Sequence, residues 1–161
     1  MAANQERNFC REAALLLAVA RVGTLATTQG GVPHAALVTP ALGEDGAPIL
    51  LLSNLAAHTR NLRVDPACAL LVAGTAVDEN PQTAPRVLLS GVAEQREDAA
   101  ARRRFLEVHP YANLYAGFAD FSIWRLIVKD VHYVGGFAAA SRLQVAVLQH
   151  EIMSVLKDSF G

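Results

Sequence analysis

Apolar residues near the start of the chain, Phe9, Ala13, Leu16, Leu17 and Ala20, recur at steps of three and four. That period gathers them on one face and predicts a helix over residues 5–21. Gly23 ends it. Gly23-Thr24-Leu25-Ala26-Thr27-Thr28 then alternates as a strand does, up to the turn signal Gln29-Gly30-Gly31. A second strand is expected over 34–42, closed by the turn Gly43-Glu44-Asp45-Gly46. Ile49-Leu50-Leu51-Leu52-Ser53 is a continuous apolar run, the mark of a strand covered on both faces. A short helix over 56–64 follows, stopped by Asp65-Pro66, and Cys68-Ala69-Leu70-Leu71-Val72-Ala73 predicts another doubly buried strand.

Asp78, Asn80, Pro81 and Pro85 make 74–85 an expected exposed loop, and 86–93 a strand whose interior Gly91 points to a bulge or bend. Residues 94–108 are polar and then helical, with Arg102-Arg103-Arg104 expected on an exposed turn before Pro110 ends the helix. The longest strand, 122–134, has Trp124, Leu126 and Val128 on one face, with Arg125 and Lys129 on the other. Gly135-Gly136 interrupts it, and a final helix is expected over 141–158. Six closely spaced strands joined by Gly-rich turns predict a mainly β fold with flanking helices. The architecture expected is an antiparallel Greek-key barrel; a doubly wound sheet would need regular strand–helix alternation.

Composition adds an expectation about assembly. A length of 161 residues favours one domain, 1–161. Its 52% hydrophobic content and mean hydropathy of +0.25 exceed what one small core needs. An obligate homodimer interface, which resembles a core cut in half, accounts for the excess. The longest apolar stretches, 13–20 and 49–52, fall short of the roughly 20 residues of a membrane-spanning helix. A formal net charge of −1 supplies no general field toward nucleic acid or anionic membrane. Lys occurs only at Lys129 and Lys157; Arg suits planar carboxylate or phosphate contacts, though a GC-rich coding bias gives the same preference. Cys10 and Cys68 sit in apolar surroundings without metal-ligand spacing and read as small hydrophobes. No basic segment with a small-residue cleavage site opens the chain, so no signal peptide and a cytoplasmic location are expected.

Candidate chemistry concentrates in residues 52–62. A strand end bearing Ser53 and Asn54 leads into a helix start bearing His58, Thr59, Arg60 and Asn61. A helix N-terminus offers unpaired N–H groups and the positive end of its dipole to an anion, and Thr59 and Arg60 add a hydroxyl and a charged donor. A plain capped turn with a solvated helix face has the same spacing, and the residues alone leave both readings open.

The 52–62 segment with Asp65-Pro66 resembles the FMN-binding split barrels related to pyridoxamine 5′-phosphate oxidase, nearest their haem-utilisation branch. Further matches are Gly23-Thr24-Leu25-Ala26-Thr27, Gly31 with Pro33, His109-Pro110, Phe118 with Asp120-Phe121, and Gly135-Gly136-Phe137. They cover about residues 21–140. The resemblance implies a six-stranded split β-barrel homodimer with FMN in the groove between protomers, its phosphate at Ser53, Asn54, His58, Thr59, Arg60 and Asn61. By strand adjacency Val38 and Thr39 approach the ring, and Trp124 and Arg125 are candidates from the partner protomer, Trp124 more readily as core. The implied activity is an FMN-dependent oxidoreductase on a small or planar substrate; haem binding or degradation in the same groove, and flavin binding without turnover, are the alternatives. Two departures remove polar reach: Ala35 and Ala36 where relatives place a hydroxyl or basic residue, and Ala138 to Ala140 where they place a basic one.

His34, His132 and His150 stand at no metal-ligand spacing, and no metal site is expected. His109 is a minor candidate for an axial haem ligand, since haem ligation needs one well-placed imidazole.

Overall fold

The computed structural model describes residues 2–136 and 139–160. Helix α1 (Ala2–Val19) buries Cys10, Ala13, Ala14 and Leu17, the face that the three-and-four spacing marks out. It packs against the last helix, α4 (Val145–Phe160), which buries Leu148, Ile152, Val155 and Leu156. Tyr133 donates its hydroxyl to Glu12 at 2.6 Å and its ring packs on Phe9, tying α1 to the sheet.

Among the described residues that sheet has eight strands: β1 (Gly23–Gln29), β2 (Val32–Val38), β3 (Ala41–Leu42), β4 (Pro48–Ser53), β5 (Ala67–Ala73), β6 (Arg86–Gln95), β7 (Phe121–Val134) and β8 (Ala140–Leu143). All pairings are antiparallel, in the order β2-β1-β5-β6-β7-β4-β3, with β8 also on β7. β7 organises the fold. One edge pairs with β6, and the other is shared by β4 along Phe121 to Arg125 and by β8 along Val131 to Val134. The sheet curls into a half-barrel of the split-barrel type, as the sequence predicts.

The two-residue alternation of strands decides what lies inside. Leu25, Leu70, Leu89, Val131 and Leu143 stand side by side across five strands, and all are buried. β4 is covered on both faces, as its continuous run predicts. Leu50 and Leu52 enter the main core. Ile49 and Leu51 enter a second core with Phe105, Ala112, Ala116 and Ile123. Gly91 marks a bend: the register between β6 and β7 shifts at Ser90/Gly91, and a Cβ there would stand 1.9 Å from the Ile127 carbonyl oxygen.

Four expectations need correction. The strand over 34–42 is broken into β2 and β3, because Pro40 lacks the N–H that a ladder needs. Residues 140–143 form β8 instead of starting the last helix, with Arg142 held by Asp130 at 2.7 Å. These two changes raise the strand number from six to eight. β5 is buried on one face within the protomer: Leu70 and Val72 point inward, whereas Leu71 is 38% exposed. The run of three arginines does not lie on a free turn of α3 (Ala99–Val108). Arg102 binds Glu97 and the Ala116 and Phe121 carbonyls, and Arg104 reaches the Leu42 carbonyl, so both clamp the helix to the sheet.

Candidate functional site

The end of β4 is stapled before the candidate segment begins. Ser53 Oγ donates to the Asp120 carboxylate at 2.7 Å and accepts from the Leu55 N–H, while the Asn54 N–H donates to the Asp120 carbonyl at 2.7 Å. Asp120 directly precedes β7, so the register of the β4–β7 pair sets where this turn sits. Asn54 Oδ1 accepts from Arg63 at 2.6 Å, and Arg63 also reaches Gln95.

Helix α2 (Ala57–Val64) starts on Ala56, which has no side chain able to cap it. Among the described residues no side chain caps its first turn, which leaves the positive end of the helix without a side-chain acceptor. Thr59 is fully buried, and its hydroxyl has no hydrogen-bond partner among the described residues. A buried unpaired hydroxyl costs free energy, on the order of 1–3 kcal/mol. Asn61 points toward the sheet and donates to Thr27 Oγ1 at 3.0 Å. Arg60 folds back to donate to the Leu55 carbonyl.

A cleft of about 200 Å³ opens beside this helix start, lined by Leu37, Val38, Thr39, Leu51, Leu52, Ser53, Ala56, His58 and Phe121. Its walls are mainly apolar, with His58 as the ring that carries nitrogen. Burial, aided by the neighbouring His34 ring, pulls the His58 pKa below its ordinary value. His58 is therefore neutral at pH 7, with lone-pair density on one ring nitrogen. His34 adds a buried Nδ1 without a partner.

The structure thus gathers Val38, Thr39, Ser53 and His58 around one cleft, with Thr59, Arg60, Asn54 and Asn61 on the elements that frame it. Trp124 and Arg125 lie elsewhere in the protomer. Trp124 belongs to the main core, with its Nε1 unpartnered, and Arg125 is paired with Asp45 beside a separate cavity of about 140 Å³ between β7 and α4. His109 is almost fully buried with both ring nitrogens engaged, which removes it as an axial ligand. Burial, with nearby carboxylates adding to it, pushes the thiols of Cys10 and Cys68 up to about 11; Cys10 is buried as expected, whereas Cys68 is half-buried. Phe137 and Ala138 lie outside the described residues. Sequence reasoning assigned no role to Asp120, Arg63, His34 or Phe121. Asp120 and Phe121 stand in a quoted motif, and Arg63 lies one turn beyond Arg60; those were the available signals.

No described helix is long and apolar enough to cross a membrane. Comparison with known proteins places these features in a family. The model of the family described as pyridoxamine 5′-phosphate oxidase matches residues 11–135. "Non-canonical heme oxygenase HOZ, chloroplastic" of Arabidopsis thaliana is 38% identical over 122 residues, 74% of this chain and 37% of that protein. A heme binding protein from Mycobacterium smegmatis superposes with a TM-score of 0.82 at 37% identity, covering 88% of this chain and 60% of that one. The chain thus spans less than two thirds of the length of either. HutZ, the heme storage protein of Vibrio cholerae, shares the fold at 19% identity, with a TM-score of 0.61 over 76% of this chain and 86% of its own. With the family model matching residues 11–135, which include every residue lining the cleft, the chain belongs to the pyridoxamine 5′-phosphate oxidase family.

Proposed function

We propose that this protein binds haem in the cleft beside α2, at a face where two copies of the chain meet. One observation carries the reading: an apolar cleft contains a neutral imidazole, His58, next to a helix start that no side chain caps. A haem offers the complementary parts, a flat apolar macrocycle, an iron that accepts imidazole, and carboxylates suited to a helix N-terminus. The two relatives at 37–38% identity, one named as haem-binding and one as a heme oxygenase, support the same ligand.

The residues present fit such a group. His58 would meet the iron, Leu37, Val38 and Leu52 would cover the ring, and the first N–H groups of α2 would take a carboxylate. Bound haem would supply the redox and oxygen chemistry. The chain's own contribution is to orient the ring, exclude water from it and keep His58 unprotonated.

A cleft of about 200 Å³ holds only part of such a ligand, because sites for molecules of this size run to roughly 300–1,000 Å³. The outer sheet face offers the cover. Leu37, Thr24, Leu71 and Leu88 lie side by side across β2, β1, β5 and β6, and Ala35, Ala26 and Ala69 form the next row. Leu37 is 73% exposed. An apolar band of this kind matches the C2 homodimer expected from composition.

FMN, with an oxidoreductase activity on a small organic substrate, is the second reading, favoured by the same uncapped helix start and by the orphaned Thr59 hydroxyl. A phosphate suits that position as well as a carboxylate does. Replacing His58 by Ala separates the two. Haem would keep its affinity only in part and shift its Soret band, whereas FMN, held at its phosphate, would change little. A His58→Ala protein with an unaltered haem spectrum would remove His58 from the site.

A further inference from the structure

Behind the cleft lies a buried histidine whose two nitrogens are both occupied. His109, 1% exposed, packs against the tilted ring of Phe105 and edge-on to Tyr111, with ring centroids 4.8 and 5.6 Å away. Its Nε2 stands 2.8 Å from the Pro40 carbonyl oxygen. A carbonyl can only accept, so Nε2 carries the hydrogen and donates it. In that neutral tautomer Nδ1 is the acceptor, and the Tyr111 hydroxyl, 3.3 Å away, donates to it. The titratable and charged groups around the ring are Tyr111 and Arg21, with Tyr115 behind Tyr111.

Pro40 occupies the break between β2 and β3. The β1–β2 ladder ends at Val38 and the β3–β4 ladder starts at Ala41, leaving Thr39 and Pro40 outside both. Proline has no N–H to tie the break down. The His109 bond supplies that tie, and the two residues just before Pro40, Val38 and Thr39, line the cleft.

We propose that His109 is a positioning residue for the cleft, holding the break through Pro40 so that Val38 and Thr39 stand at the spacing from α2 that the ligand needs. It rests on the reading of the cleft as a haem site. Protonation of the ring would put a hydrogen on Nδ1 and break the bond from Tyr111, while Nε2 keeps its hydrogen and its bond to the Pro40 carbonyl, so the tie itself holds on the acid side. Burial is the main influence lowering the His109 pKa; the Pro40 carbonyl opposes it, and the Arg21 charge adds to it.

The test compares the parent protein with His109→Phe, His109→Gln and Tyr111→Phe, using haem titration by absorbance across pH and urea denaturation. Phe keeps the ring packing and leaves the Pro40 carbonyl unpaired, so the haem Kd should rise about tenfold. Gln can return a donor to that carbonyl and should restore affinity to within about threefold of the parent. Tyr111 is half-exposed, so Tyr111→Phe should fold; losing the donor that holds the hydrogen on Nε2 should raise the haem Kd about threefold at pH 7.5, and the difference from the parent should shrink as the ring protonates and both nitrogens carry a hydrogen. The proposal is overturned if a folded His109→Phe protein binds haem like the parent, or if Tyr111→Phe binds haem like the parent at pH 7.5. If the His109 variants do not fold, the Tyr111→Phe affinity at pH 7.5 decides alone. A parent protein that binds no haem defeats the reading of the cleft, and this inference with it; a parent that binds while its variants match it defeats this inference only.

Discussion

Asp120→Ala removes the acceptor of the 2.7 Å bond from Ser53 while leaving the backbone bond from Asn54 to residue 120 in place. The lost bond is charge-assisted and partly buried. Such bonds contribute on the order of 1.5–3 kcal/mol, and partial exposure argues for the lower end, about 1.5 kcal/mol. With a urea m-value of about 1–3 kcal/mol per molar, the unfolding midpoint should fall by roughly 0.5–1.5 M. The turn should also lose its anchor, because Ser53 Oγ both donates to Asp120 and accepts from the Leu55 N–H. Ligand affinity should therefore drop further than in a variant of equal stability cut elsewhere, such as Tyr133→Phe, which loses only the bond to Glu12. Asp120→Asn keeps an acceptor and should recover most of both losses. Urea denaturation and haem titration on the three proteins make the comparison. An Asp120→Ala protein with the parent midpoint and the parent affinity would refute the staple.

Gly91→Ala should destabilise by more than about 3 kcal/mol or abolish folding, because its Cβ would meet a backbone carbonyl at 1.9 Å rather than a movable side chain; near-parent stability by thermal melting would show that the bend relaxes. The folded-state pKa values of His58 and His109 lie below the ordinary 6.5, so the unfolded chain takes up protons first and stability should fall as pH drops below 6.5. Urea midpoints at pH 7.5 and 5.5 check this, and an equal or higher midpoint at pH 5.5 would contradict it. Burial pushes the Glu97 pKa up, but the Ile123 N–H and Arg102 outweigh it, so its net shift is downward and its contribution is lost only as pH falls below about 4.5. Leu71→Glu, on the outer sheet face, should convert a dimer to a monomer of 17.2 kDa by light scattering, and a parent protein already monomeric at micromolar concentration would remove the dimer from the account.

Much of this architecture was legible because one-dimensional periods map onto faces. The spacing of Phe9 to Ala20 located α1, and the unbroken run from Ile49 to Leu52 located the strand between two cores. Gly91 gave away the bend. What stayed hidden depended on partners distant in the chain. Nothing local shows that Arg102 and Arg104 reach carbonyls of other elements, or that Asp120 waits for Ser53 67 residues away. The split of 34–42 was readable at Pro40 but yielded to the apolar run around it. At the site, residue types pointed to a segment that the fold sets beside a cleft without showing direction: Asn61 turns to Thr27 and Arg60 to Leu55, while Val38, Thr39, Ser53 and His58 line the cleft. Trp124 illustrates the limit, since an alternating strand gives its face but not whether that face is core or groove.

The central claim, that the cleft beside α2 takes haem, is tested most directly by titrating the purified protein with haem and separately with FMN, following absorbance. The account predicts a saturable Soret change that ends at one haem per chain and persists when FMN is present in excess. Saturable FMN binding with no specific haem spectrum, or haem uptake that continues without a stoichiometric end point, would contradict it.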